Sequence, residues 1–208
     1  MGAVVLVLGE SGSGKSASLR NFKKDEVALL NVLGKKMPFR SELQAIDNAR
    51  YNQILQAFQA RKRRAYVVDD ANYLMQLENF AKADERGYDK FTKMAVNFER
   101  MLESAMATDE QTIVYILMHP QYDDAGNMKP KTIGKMLDNQ LTIEGLVSMT
   151  LVAFGDENGY HFRTNDPNGI AKSPMGMFES EIIDNDLALV DATARAYWGM
   201  EPLRKGGK

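Results

Sequence analysis

Apolar residues come in unbroken blocks along this chain, and stretches of helical spacing lie between the blocks. Ala3-Val4-Val5-Leu6-Val7-Leu8 is apolar throughout, the pattern of a strand covered on both faces. Similar blocks recur at residues 26–32, at 65–70 (Ala65-Tyr66-Val67-Val68-Asp69-Asp70) and at 111–118. Residues 47–60 carry Tyr51, Ile54, Leu55 and Phe58 at helical spacing. Two further helices are predicted before residue 107, the second over 89–106 with Phe91, Met94, Phe98, Met101 and Leu102 on one face. Such alternation predicts an α/β fold, a mostly parallel sheet flanked by helices. Residues 146–154 and 160–164 read as a C-terminal β-hairpin across the turn from Gly155 to Gly159, and Asp186 as the cap of a last helix reaching about Tyr197. Residues 34–41 form a loop broken by Pro38 and carrying Lys35, Lys36 and Arg40. Residues 121–130 read as a mobile or substrate-facing polar flap, and 203–208 as a frayed tail.

The first strand runs into Gly9-Glu10-Ser11-Gly12-Ser13-Gly14-Lys15-Ser16, a complete G-x-x-x-x-G-K-S phosphate-binding loop, and Ala17 to Phe22 can continue as a helix. Three glycines let the backbone curl so that successive N–H groups face a phosphate chain. Residues 9–17 are therefore the candidate nucleotide contacts. In that geometry Lys15 reaches the β- and γ-phosphates and the Ser16 hydroxyl sits on magnesium.

Asp69 closes an apolar strand in acid, where a carboxylate can support magnesium through its water shell. Asp70 follows directly, placed to polarise an attacking water. His119 lies just beyond the strand that ends at Met118. Ligands collect at the carboxyl ends of parallel strands, so an imidazole there is a candidate sensor of the γ-phosphate. Lys15, Asp70 and His119 form the candidate catalytic set, with Ser16 and Asp69 for the metal. ATP and Mg2+ are the expected ligands, since no guanine-reading N-K-x-D pattern is present.

Composition narrows the setting. With 208 residues and 44% hydrophobic content, a single domain spanning 1–208 is expected. The formal net charge of −2 gives no global attraction to nucleic acid, so any such contact must come from local patches. Arg61-Lys62-Arg63-Arg64 is one basic run, read first as a solvated turn and second as a phosphate-backbone contact. The absence of cysteine fits a reducing compartment, and no apolar run approaches a membrane span. No signal peptide is expected before the first strand, and the expected location is the cytoplasm of the host cell. The 13 methionines read as core fillers.

The glycine loop, the segment from Tyr66 through Asp69, Asp70 and Asn72 to Leu74, and the strand ending at His119 together resemble a phage-type AAA-domain nucleotide-binding protein. So do Lys131-Thr132-Ile133-Gly134-Lys135-Met136-Leu137 and Ala171-Lys172-Ser173-Pro174-Met175-Gly176-Met177-Phe178. The resemblance covers nearly the whole chain. It implies a minimal RecA-like core, a P-loop NTPase of the recombination type in the single-strand annealing group. It further implies binding of single-stranded DNA, often beside a single-strand-binding protein.

No separate DNA-binding domain and no helical lid are visible in the sequence. Assembled RecA-like rings and filaments draw a cation from a neighbouring copy, so homo-oligomerisation is expected, with Lys131, Lys135, Arg163 and Lys172 as candidates. Two other readings stand beside the DNA-dependent ATPase. One is a nucleotide-gated protein-binding module with slow hydrolysis. The other, a small nucleotide kinase, is weakened by the lack of arginine in residues 121–130.

Overall fold

A computed structural model describes residues 1–85, 87, 89–134 and 142–203. The first apolar block becomes β1 (Ala3–Leu8), buried at all six positions. After a 3₁₀ turn (Ser16–Asn21) come β2 (Ala28–Asn31), β3 (Gln44–Asp47), α1 (Tyr51–Ala60), β4 (Ala65–Asp69), α2 (Asn72–Ala81) and α3 (Asp89–Met106). The second half holds β5 (Ile113–Met118), β6 (Pro120–Tyr122), β7 (Met128–Pro130), α4 (Ile143–Leu146), β8 (Met149–Asp156), β9 (Gly159–Arg163), β10 (Ile182–Asp184) and α5 (Leu187–Trp198).

Eight strands join in the order β10-β9-β8-β1-β5-β4-β2-β3. From β8 to β3 every pairing is parallel, and β9 and β10 add an antiparallel edge through the expected C-terminal hairpin. Residues alternate between the two faces of the sheet, and both faces are covered. Leu6, Leu8, Val68 and Ile116 pack with Ile54, Phe58, Phe98 and Met101 from α1 and α3. Val5, Val7, Val67 and Leu117 pack on the other face with Leu19, Leu187 and Val190. Two-sided burial is why these strands read as solid apolar blocks.

The helix α5 is tied down by an internal ion pair. Arg195, 1% exposed, bonds Asp191 and donates to the carbonyls of Gln111 at 2.8 Å and Arg64 at 2.7 Å. Asp191 also accepts from the Tyr115 hydroxyl at 2.9 Å. Asp186 caps the helix as expected, accepting from the N–H groups of Ala188 and Leu189.

Several expectations need correction. The segment after the glycine loop is a six-residue 3₁₀ turn rather than an extended helix. The Ser18 hydroxyl donates to the Lys15 carbonyl at 2.6 Å, a local bond that competes with regular helical geometry. The strand β3 has no counterpart in the sequence reading, because its four residues are all exposed. The polar segment at 121–130 is a β6–β7 hairpin, its turn held by Asp123, which accepts from the N–H groups of Ala125 and Asn127. Leu203, placed in the tail by sequence, packs against the core.

Candidate functional site

The glycine loop leaves the centre of the sheet at the carboxyl end of β1. Gly9 is required by crowding: a Cβ there would stand 2.3 Å from Ser13 Oγ and 2.7 Å from the Ala153 carbonyl. Gly12 and Gly14 are required by conformation, with φ of +82° and +92°. The carboxyl end of β1 is thereby free to present the loop backbone to a ligand.

Lys15 folds back over its own loop, donating from Nζ to the carbonyls of Gly9 at 2.6 Å and Glu10 at 2.9 Å. Burial lowers its pKa, while the charges of Asp70 and Asp69 work the other way. Ser16 donates from Oγ to both carboxylate oxygens of Asp69, at 2.9 and 3.1 Å. Burial, with Asp70 adding to it, pushes the Asp69 carboxyl up to about 6, against the Ser16 bond and the charge of Lys15. A hydroxyl and a buried carboxylate converging on one point are hard oxygen donors of the kind magnesium takes, so the residues present fit that ion.

Asp70 adopts φ of +59°, a left-handed conformation that glycine takes freely and, among other residues, asparagine and aspartate take occasionally. The bend turns its carboxylate toward two partners. Lys35 Nζ stands 3.1 Å from Oδ2, and His119 Nε2 stands 3.4 Å from Oδ1. Burial alone would raise the Asp70 pKa, but the His119 and Lys35 bonds hold it below the ordinary carboxylate range. Strained backbone of this kind concentrates at functional sites.

His119 is oriented from both sides. Its backbone N–H donates to Asn72 Oδ1 at 3.1 Å, and its ring meets Tyr73 edge-on at 5.9 Å between centroids. Because β5 lies between β1 and β4, the end of β5 falls between the glycine loop and the aspartates. That strand order brings Lys15, Ser16, Asp69, Asp70 and His119 together around one cleft of about 450 Å3. Ser11, Gly12, Gly14 and Ala17 also line it, whereas the Ser13 hydroxyl is buried without a partner among the described residues.

Five lining residues were not singled out for the site by sequence: Lys35 to Pro38 in the loop after β2, and Tyr160. The sequence signal for Lys35 was present as a cationic loop after a strand, without the sheet order that places it. Conversely, the described candidates for an intersubunit cation lie outside the cleft lining. Lys172 donates to the Glu144 carbonyl, Arg163 stacks on Phe154 and approaches Asp166, and Lys131 is exposed. Lys135 lies outside the described residues. In the basic run, Arg63 pairs with Asp25 and Arg64 with Glu201, as a solvated turn would.

A glycine loop on the central strand and an aspartate-ended strand two places away make this an α/β P-loop fold of RecA-like strand order. No protein-family model matches the chain, and no curated protein matches its sequence. Among solved structures it is similar to an ATPase from the type III secretion system of pathogenic bacteria. The likeness has 12% identity and a TM-score of 0.47, over 76% of this chain. The chain spans about half the length of that protein, 53%. None of the described helices is long and apolar enough to cross a membrane.

Proposed function

We propose that this chain binds ATP with magnesium and hydrolyses it, as a DNA-dependent ATPase of recombination or replication acting on single-stranded DNA. The observation that carries the ATPase reading is the Ser16–Asp69 pair in one cleft with Lys15 and the Asp70–His119 pair, at the carboxyl ends of the central strands. Phosphoryl transfer asks for positioning and charge stabilisation more than covalent chemistry, and these groups offer both.

Ser16 and Asp69 would hold the metal, which when bound screens charge on the β- and γ-phosphate oxygens. Lys15 exchanges its two loop carbonyls for phosphate oxygens. Asp70, released from Lys35, orients the attacking water and takes up its proton at a carboxylate oxygen. His119 donates from its ring to the γ-phosphate. Lys35 would add to the site a cation from the same chain.

The DNA part of the reading rests on the resemblance of the segments around residues 66–74, 131–137 and 171–178. It carries with it a ring or filament of copies, with the exposed Lys131 and Lys172 as candidate cations for a neighbour, and a single-strand-binding protein as companion. The test is steady-state ATP hydrolysis with and without single-stranded DNA, with Lys15→Ala as the blank. Stimulation that vanishes in the variant and weakens with salt supports it. Sedimentation as a monomer at micromolar concentration, with ATP analogue and DNA present, would remove the oligomer.

The nucleotide-gated binding module is favoured by one observation: the Asp70 carboxylate is engaged by Lys35 and His119. Partner capture that needs ATP yet survives Asp70→Ala would select that reading over the motor.

A further inference from the structure

We infer that the aromatic ring of Tyr160 is the stacking platform for the nucleobase, which makes the ligand a nucleotide held at both ends rather than a polyphosphate held at one. The inference rests on the proposed nucleotide reading of the cleft and extends it to the base.

The sheet order sets the direction of the ligand. Every charged group of the site lies at β1 or to one side of it. His119 follows β5, Asp69 ends β4 with Asp70 just beyond it, and Lys35 follows β2. The terminal phosphates belong on that side. A ligand with its phosphates over the glycine loop must then send its other end across β1 toward β8 and β9.

Tyr160 stands on that opposite flank. It is the second residue of β9, opposite Gly155 of β8, beside the turn that follows the carboxyl end of β8. Its ring lies against two glycines. A Cβ on Gly14 would come within 3.0 Å of the ring, and one on Gly155 within 3.2 Å. The side chain nevertheless keeps 54% exposure and lines the same cleft as Lys15. A large aromatic left half in water, directly beside a phosphate loop, has the form of a stacking surface.

Its position is fixed relative to the loop. The Asn185 N–H donates to the Tyr160 carbonyl at 3.2 Å, and the Asn185 carbonyl accepts from Arg20 in the 3₁₀ turn that follows Ser16. Asn21 adds a bond to Asp186 at 2.7 Å. Loop and platform are therefore stapled through one short segment, as a site must be if it is to grip both ends of a ligand. Stacking engages the face of a base, so the surface suits a purine by area.

The experiment is calorimetric titration of the full chain with magnesium-ATP and, separately, with inorganic tripolyphosphate. The proteins compared are wild type, Tyr160→Phe, Tyr160→Ala and Lys15→Ala. Stacking predicts that Tyr160→Ala weakens ATP binding by about 5- to 100-fold while tripolyphosphate affinity stays within about twofold. Tyr160→Phe should keep wild-type affinity for both ligands. ATP affinity unchanged in Tyr160→Ala overturns the inference, with Lys15-dependent ATP binding still standing. Equal weakening of both ligands also overturns it, because the ring would then be shaping the loop. Wild-type protein that binds neither ligand overturns the nucleotide reading itself, and the stacking platform with it.

Discussion

Lys35 Nζ stands 3.1 Å from Asp70 Oδ2, although 35 residues separate the two in sequence. The pair forms because β2 and β4 are neighbours in the sheet, so their carboxyl ends open into the same cleft. Lys35 is 60% exposed, so the bond itself adds little to stability. Its value is in the site. Replacing Lys35 with Met should lower kcat by about 10- to 100-fold with little change in thermal stability, since one cation facing the γ-phosphate is lost. Asp70→Asn should cost about 10²- to 10⁴-fold in kcat. Steady-state kinetics beside a melting curve separates the two effects.

Asp69→Asn should make the unliganded protein more stable and less functional at once. Burial and the neighbouring Asp70 disfavour the charged carboxylate in the folded state, and the unfolded chain carries no such cost. The amide oxygen still accepts from Ser16. In metal-free buffer at neutral pH, Tm should rise by about 2–5 °C. The additional rise that magnesium-ATP gives the wild type should disappear. A lower Tm in the variant would mean that the negative charge stabilises the empty site.

Arg195→Met should destabilise the fold by about 3–5 kcal/mol, measured by chemical denaturation. It strands the Asp191 carboxylate and leaves the Gln111 and Arg64 carbonyls without their buried donor. The double variant Asp191→Leu with Arg195→Met should be less damaged than the single one, because no buried charge is then left alone.

Asp123 gives a pH signature in the turn of the β6–β7 hairpin. Bonds from Asn127, through its side chain and its backbone N–H, pull the Asp123 pKa from 3.8 to about 2. A carboxyl lowered on folding stabilises fully above its unfolded value, and that contribution is lost as pH falls through its folded value. The stability gap between wild type and Asp123→Asn should therefore hold at neutral pH and close between about pH 4 and pH 2. Melting curves of both proteins across that range read it directly.

The parts of this protein that sequence reveals are those whose cause is local. Six apolar residues from Ala3 to Leu8 announce a two-sided strand, and the glycines of the loop announce a backbone that must bend. Asp69, Asp70 and His119 were legible because each follows an apolar strand directly. Lys35 and Tyr160 were not, since their roles come from which strands lie side by side, and no spacing encodes that. The strand β3 was missed for a different reason. It lies at the sheet edge with every residue exposed, so no periodic burial marks it. The 3₁₀ turn escaped because a serine hydroxyl bonding to a nearby carbonyl leaves hydrophobic spacing untouched.

The place of β1 in the middle of the sheet has a consequence for synthesis. Ala3 pairs with Ile113 and Val5 with Met149, so the most apolar strand of the fold leaves the ribosome long before either neighbour exists. At typical translation speeds that wait lasts roughly 5–30 s. Through that interval the growing chain carries a sticky, unpartnered segment beside the loop that will later hold its ligand.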